Sequence, residues 1–133
     1  MNFSDLPLLH THLPDHAGTF CGIVGGTAKQ PYAALILLDA KPATEINWAD
    51  ACAWGTGLGE GCHIPTSDES AHLYATSRDL LDQDKWHWTS TEYNPPYSGS
   101  NAWMQSFLYG NQSLNIKSSE RLCRAVRLIH LSA

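Results

Sequence analysis

Histidine and cysteine are the residues of this chain most able to do chemistry, with seven of the first and four of the second. His10, His12 and His16 stand with Asp15 near the start. On an extended segment His10 and His12 would point to the same side and could chelate a transition metal. A chain terminus seldom holds the supporting hydrogen bonds a metal site requires, so an exposed polar arm is the favoured reading. Cys62-His63 follows Cys52 at a spacing that matches no structural zinc pattern. Cys21, Cys52, Cys62 and Cys123 contain no C-x-x-C pair, and Met1-Asn2-Phe3-Ser4-Asp5 lacks the basic and apolar parts of an export signal. Reduced, mostly buried thiols in a cytoplasmic protein are therefore expected, with disulfide pairing the weaker alternative. No serine or cysteine stands in a nucleophile motif, and the expectation is a chain without catalytic residues, metal or cofactor.

The second half offers a different chemistry. Tyr93, Asn94, Tyr97, Asn101, Tyr109, Asn111, Gln112 and Asn115 fall in or beside segments rich in Pro, Ser, Gly and Asn. Amphipathic rings and adaptable amides of this kind meet a partner at small entropic cost. With Lys117 and Arg121 they form the candidate partner-binding set, carried on loops 93–120. Trp86, Trp88, Trp103 and Phe107 are read as core instead, because tryptophans on alternating strand positions fill small domains. Glu92 is expected to anchor the loop base to a backbone donor or to an arginine such as Arg124. Of the basic residues near the end of the chain, Lys117 and Arg121 are read as the freer to bind.

The elements that must position these residues follow from periodicity and turn chemistry. Residues 1–17, with Pro7, Pro14 and four leucines, suit an extended arm, and exposed Leu6, Leu8, Leu9 and Leu13 would favour a homo-oligomer. Thr19–Gly26 and Tyr32–Leu38 read as two paired strands. Asn47 can cap a short helix whose apolar side is Trp48, Ala51, Cys52, Gly55 and Leu58. Thr66-Ser67-Asp68-Glu69 fits a capping box opening a second helix to about Leu81, with Leu73, Tyr74, Ser77 and Leu81 inward. Alternation through Trp103, Gln105, Phe107 and Tyr109, then Gly110-Asn111, predicts a strand and a two-residue hairpin turn, with the return strand at Gln112–Lys117. Leu122–Leu131, apolar on both faces, predicts a central strand. The order is α+β, with residues 18–133 forming a single domain.

The composition bounds the function. Charged residues make up 16% of the 133, below the roughly 25% usual for soluble domains, so the surface must be neutral and polar. A net charge of -5 gives no general attraction to phosphate backbones, which makes nucleic acid an unlikely partner. No apolar run is long enough for a bilayer, so no membrane insertion is expected.

The series Trp86-His87-Trp88-Thr89-Ser90-Thr91-Glu92, Ala102-Trp103, Gln105, Phe107, Gly110-Asn111, Lys117 and Arg121-Leu122-Cys123-Arg124-Ala125-Val126-Arg127 resembles a bacterial and phage family. Its members are C-type-lectin-like domains grouped with the C-terminal domain of a bacterial collagen-like adhesin. Gly18–Ile23, Trp48–Trp54 and Ile64–Glu69 extend the resemblance, which covers nearly everything from Gly18 to Leu128. It implies the C-type-lectin-like fold, with two short helices on small antiparallel sheets and a loop-rich second half. It also implies a phage- or prophage-encoded, non-catalytic binding module, in which Arg124 and Arg127 of the hallmark tie the last strand to helix or loop carboxylates. The partner is expected to be a host protein, such as a defence protein blocked inside the cell, or a cell-surface glycan or receptor bound by a virion-associated domain. Calcium-dependent lectins of this fold need several converging carboxylates. Glu92-Tyr93-Asn94-Pro95-Pro96 supplies one and has no partner Asn-Asp. Formylglycine-generating oxidases share the fold and use a cysteine pair in a late arginine-rich segment, where this chain offers Cys123 alone.

Overall fold

The computed structural model describes residues 1–94 and 99–132. Among these the chain forms strands β1 (His12–Leu13), β2 (Gly18–Val24), β3 (Ala33–Leu38), β4 (Cys62–His63), β5 (His87–Tyr93), β6 (Asn101–Gln105), β7 (Gln112–Ile116) and β8 (Val126–His130). Two helices, α1 (Trp48–Thr56) and α2 (Ser67–Ser77), complete an α+β architecture. All pairings within the sheets are antiparallel: one sheet runs β1-β2-β3-β8-β4 and the other β5-β6-β7.

β3 owes its place to its sequence, because all six residues of Ala-Ala-Leu-Ile-Leu-Leu are buried and can face packed layers on both sides. Leu35 and Leu37 join Leu73 of α2, Phe107 and Val126 on one face, while Ala34, Ile36 and Leu38 join Phe20 and Ala125 on the other. A third cluster, with Ala51 of α1, Ile64, Trp88, Met104 and Cys123, connects α1 to the second sheet.

The helix signals act as read. The Asn47 side chain accepts from the Asp50 amide at 2.9 Å, and Thr66 and Glu69 satisfy each other's amides in a full capping box. α2 ends at Ser77 and continues only as a 3-10 turn to Leu80, since the stripe of Leu73, Ser77 and Leu81 is already inside.

Several expected details differ. The first 17 residues are two 3-10 turns and β1 instead of one extended arm. Met1, Leu6 and Leu13 pack on the second cluster and Asn2 bridges Ser132, which leaves Leu8 and Leu9 exposed. β6 stops at Gln105, so Phe107 and Tyr109 lie in a turn and Gly110-Asn111 closes a loop of residues 106–111. Gly110, at φ 81°, sits against the Tyr74 ring, and the resulting contact, not a tight hairpin, dictates the loop. Within β6 the buried residues are Ala102, Met104 and Gln105, while Trp103 and Trp86 remain half-buried. β8 starts at Val126, four residues later than the apolar run, and lies between β3 and β4.

Candidate functional site

β5, β6 and β7 have one face against α1 and one partly open. Directly opposed residues share a face. Tyr93, Asn101 and Ile116 therefore form one row, and Trp103 and Leu114 form the next on the same side. Tyr93 and Trp103 meet edge to face at 6.1 Å. Ile116 is 51% exposed and Tyr93 39%. The result is a largely apolar strip without formal charge, with the Asn101 amide between Tyr93 and Ile116 and exposed Asn94 at its border.

The candidate residues divide between the two ends of this sheet. Tyr93, Asn94 and Asn101 are together at the strip. Tyr109, 79% exposed, and Asn111 are beyond the other end of β6, roughly 13 Å away along a five-residue strand. Tyr97 lies outside the described residues.

Gln112, Asn115 and Lys117 make contacts within the fold. Gln112 donates from Nε2 to the Ser67 carbonyl and to Gln105 Oε1, both at 2.8 Å. Asn115 Oδ1 accepts from the Ile116 amide at 2.8 Å and from Ser119 at 3.3 Å. Lys117 is engaged, correcting its reading as a free cation: it pairs with Glu92 at 3.1 Å and lies 4.5 Å from the centre of the Trp48 ring. Glu92 thus anchors to Lys117 instead of Arg124, because Glu92 and Asn115 fall on the α1 side of the sheet beside Trp48. Arg121 is half-buried and reaches only the Glu120 carbonyl, at 3.5 Å.

Among the described residues Arg124 and Arg127 meet no carboxylate within 4.0 Å. Arg124 donates to the Leu38 carbonyl at 2.8 Å and the Leu80 carbonyl at 3.4 Å, and Arg127 donates to Cys62 Sγ at 3.3 Å. The strand ends that these side chains reach expose backbone acceptors and a thiol. His10 and His12 also separate: His10, at φ 70°, donates to the Thr76 carbonyl at 2.8 Å, whereas His12 pairs with Asp39 at 2.7 Å. The four cysteines are free, with Cys52 half-buried and the others buried, and burial pushes the Cys123 thiol up to about 12.

A second concavity escaped the sequence reading. A cleft of ≈ 650 Å³ lies between the turn after β2 and the start of α2, lined by Thr27, Gln30, Asp68, Glu69, His72 and Thr91 among others. His72 donates to the Cys21 carbonyl at 2.7 Å, in the register break where Gly22 takes φ 105°. His63 donates to Glu69 Oε1 at 2.8 Å. That bond raises the His63 pKa against the opposing effect of burial. For Glu69 burial acts upward, but the bonds from His63 and the Thr66 amide prevail and hold its pKa below the ordinary value. The strip itself was half legible: apolar Leu114 and Ile116 at i and i+2 signal a shared face, but only the register with Tyr93 shows what they join.

No protein-family model matches the chain, and no curated protein matches it.

Proposed function

We propose that this chain is a non-catalytic, C-type-lectin-like binding domain, phage- or prophage-encoded, that recognises a protein through the Tyr93–Asn101–Ile116 end of its three-stranded sheet. The observation that carries this reading is the strip: aromatic and aliphatic groups are presented side by side, uncharged, on a rigid ladder. Such a surface gains by excluding water against an apolar counterpart and offers nothing to phosphates. A host protein blocked inside the cell is the preferred partner, and a surface glycan or receptor is the alternative, favoured by the amides Asn94 and Asn101 beside an aromatic ring. Among the described residues no helix is long and apolar enough to cross a membrane.

The test is affinity capture from bacterial lysate with wild type, Ile116→Lys and Tyr109→Ala side by side, together with a glycan array. Loss of a captured protein with Ile116→Lys and retention with Tyr109→Ala supports the reading. Equal capture by all three removes the strip from the interface, and array binding with no captured protein favours the glycan.

A further inference from the structure

Arg124, just before β8, is half-buried and lacks an ion-pair partner among the described residues, and Asp39 attracts it without reaching ion-pair distance. Among the described residues no carboxylate approaches it within 4.0 Å. Among the described residues its terminal nitrogens reach the Leu38 and Leu80 carbonyls, and its buried Nε–H finds no acceptor. Burial depresses its pKa, as expected of a cation withdrawn from water. A half-buried charge without a direct ion-pair partner is costly, and a buried donor without an acceptor adds to the cost.

Arg124 borders a cavity of ≈ 160 Å³ that also meets Lys41, Asp82, His87 and Cys123. Lys41 is exposed and takes part in no ion pair among the described residues. Asp82 is the sole carboxylate of this lining, so the two cations leave it net positive, and Asp82 Oδ1 already accepts the Asp84 amide at 2.8 Å. Asp39, in the adjoining cavity that Arg124 and Lys41 also line, is paired with His12. His87 is 4% exposed, and its Nδ1 donates to the Lys85 carbonyl at 3.1 Å. That bond leaves Nε2 as an unprotonated acceptor. Burial pushes the His87 pKa down to about 4, so the ring stays neutral at physiological pH.

We propose that this cavity binds a small oxyanion that carries a hydrogen, hydrogen phosphate being the simplest, with Lys41 and Arg124 holding its charge and His87 Nε2 accepting its O–H. The ion supplies the direct ion-pair partner that Arg124 lacks among the described residues. The neutral imidazole gives a reason to prefer an oxyanion with a proton over one without.

The experiment is a titration of the full chain with phosphate or sulfate at neutral pH, with chloride keeping the ionic strength constant, read from the Arg124 Nε–H resonance. Saturable millimolar binding of phosphate, at least severalfold weaker binding of sulfate, and about tenfold weakening by Lys41→Gln are expected. Lys41 is exposed, so this variant folds and keeps the test decisive. Absence of saturation means that the cavity holds water, and overturns the proposal. An unchanged affinity in Lys41→Gln, or equal binding of sulfate and phosphate, overturns it as well.

Discussion

The five-stranded and three-stranded sheets are built from the same antiparallel ladders but are held by different forces. At the centre of the first, β3 buries six consecutive apolar residues, and no polar side chain of β3 contributes. The second is tied by polar side chains. Thr89, fully buried, donates from Oγ1 to the Trp103 carbonyl at 2.8 Å, and its own carbonyl accepts the Trp48 indole N–H at 2.9 Å. Thr91 Oγ1 accepts the Ser67 amide at 2.9 Å, and Gln112 links Ser67 to Gln105. Of these, the Thr89 bond to Trp103 lies across the register break between Trp88 and Glu92, where the ladder is interrupted, while Thr91 and Gln112 tie the sheet to the start of α2. Burial of area tolerates exchange of one aliphatic residue for another, whereas a satisfied polar network demands particular atoms.

The largest expected effect tests burial within the second sheet. Trp88 is 1% exposed and donates to the Ile46 carbonyl at 3.0 Å. Trp88→Ala should cost about 3–5 kcal/mol in denaturant unfolding. A cost below about 1 kcal/mol would mean that the polar network holds this sheet without its tryptophan.

The next effect is a pH dependence. His87, with its pKa lowered from 6.5 to about 4, binds a proton more readily unfolded than folded. Its contribution is complete above pH 6.5 and disappears as pH falls towards 4, a loss of about 3 kcal/mol. His63 has the opposite sign: its raised pKa gives stability that is complete below 6.5 and lost as pH rises through the folded value. Glu69, with a lowered pKa, keeps its contribution above 4.5 and loses it on acidification. Melting temperature should therefore peak near pH 6.5. His87→Leu should flatten the acid limb alone, whereas Glu69→Gln, which removes both its own acid-side contribution and the partner that raises His63, should flatten both limbs. An alkaline limb left intact by Glu69→Gln would overturn the His63 assignment.

A smaller effect separates the two kinds of bonding directly. Thr89→Val keeps the volume and removes the hydroxyl, leaving the Trp103 carbonyl and the Thr91 amide short of a partner, for about 1–3 kcal/mol. Leu35→Ile in β3, which keeps apolar volume, should cost under about 1.5 kcal/mol. Equal costs measured by urea unfolding would erase the distinction between the sheets.

The smallest effect is at the exposed strip. Tyr93→Ala and Ile116→Lys should each change stability by about 0.5 kcal/mol or less, since they leave no buried cavity. A cost above about 2 kcal/mol would show that the strip belongs to the core.

Much of the scaffold was legible in the chain. The β2–β3 pair, the Asn47 cap and the Thr66–Glu69 capping box are local signals, written within a few residues and read without knowing what lies across the fold. The loop from Ser106 to Asn111 was misread because Gly110 answers to Tyr74, far away in sequence. The candidate site was less legible for the same reason. Composition placed the tyrosines and amides in or beside loops, but Tyr93, Asn101, Gln112 and Asn115 are strand residues, and 93–120 was treated as one surface where β6 holds its ends apart.

By itself the sequence determined the α+β order, the helix starts and the buried β3, because propensity, capping and periodicity act over distances of a few residues. The tertiary structure alone decided that Lys117 belongs to Glu92 and Trp48, that Arg124 reaches carbonyls, and that Tyr93, Asn101 and Ile116 form one row. Those outcomes depend on strand register and on which charges end up adjacent after packing, and both are set by contacts between residues remote in the chain.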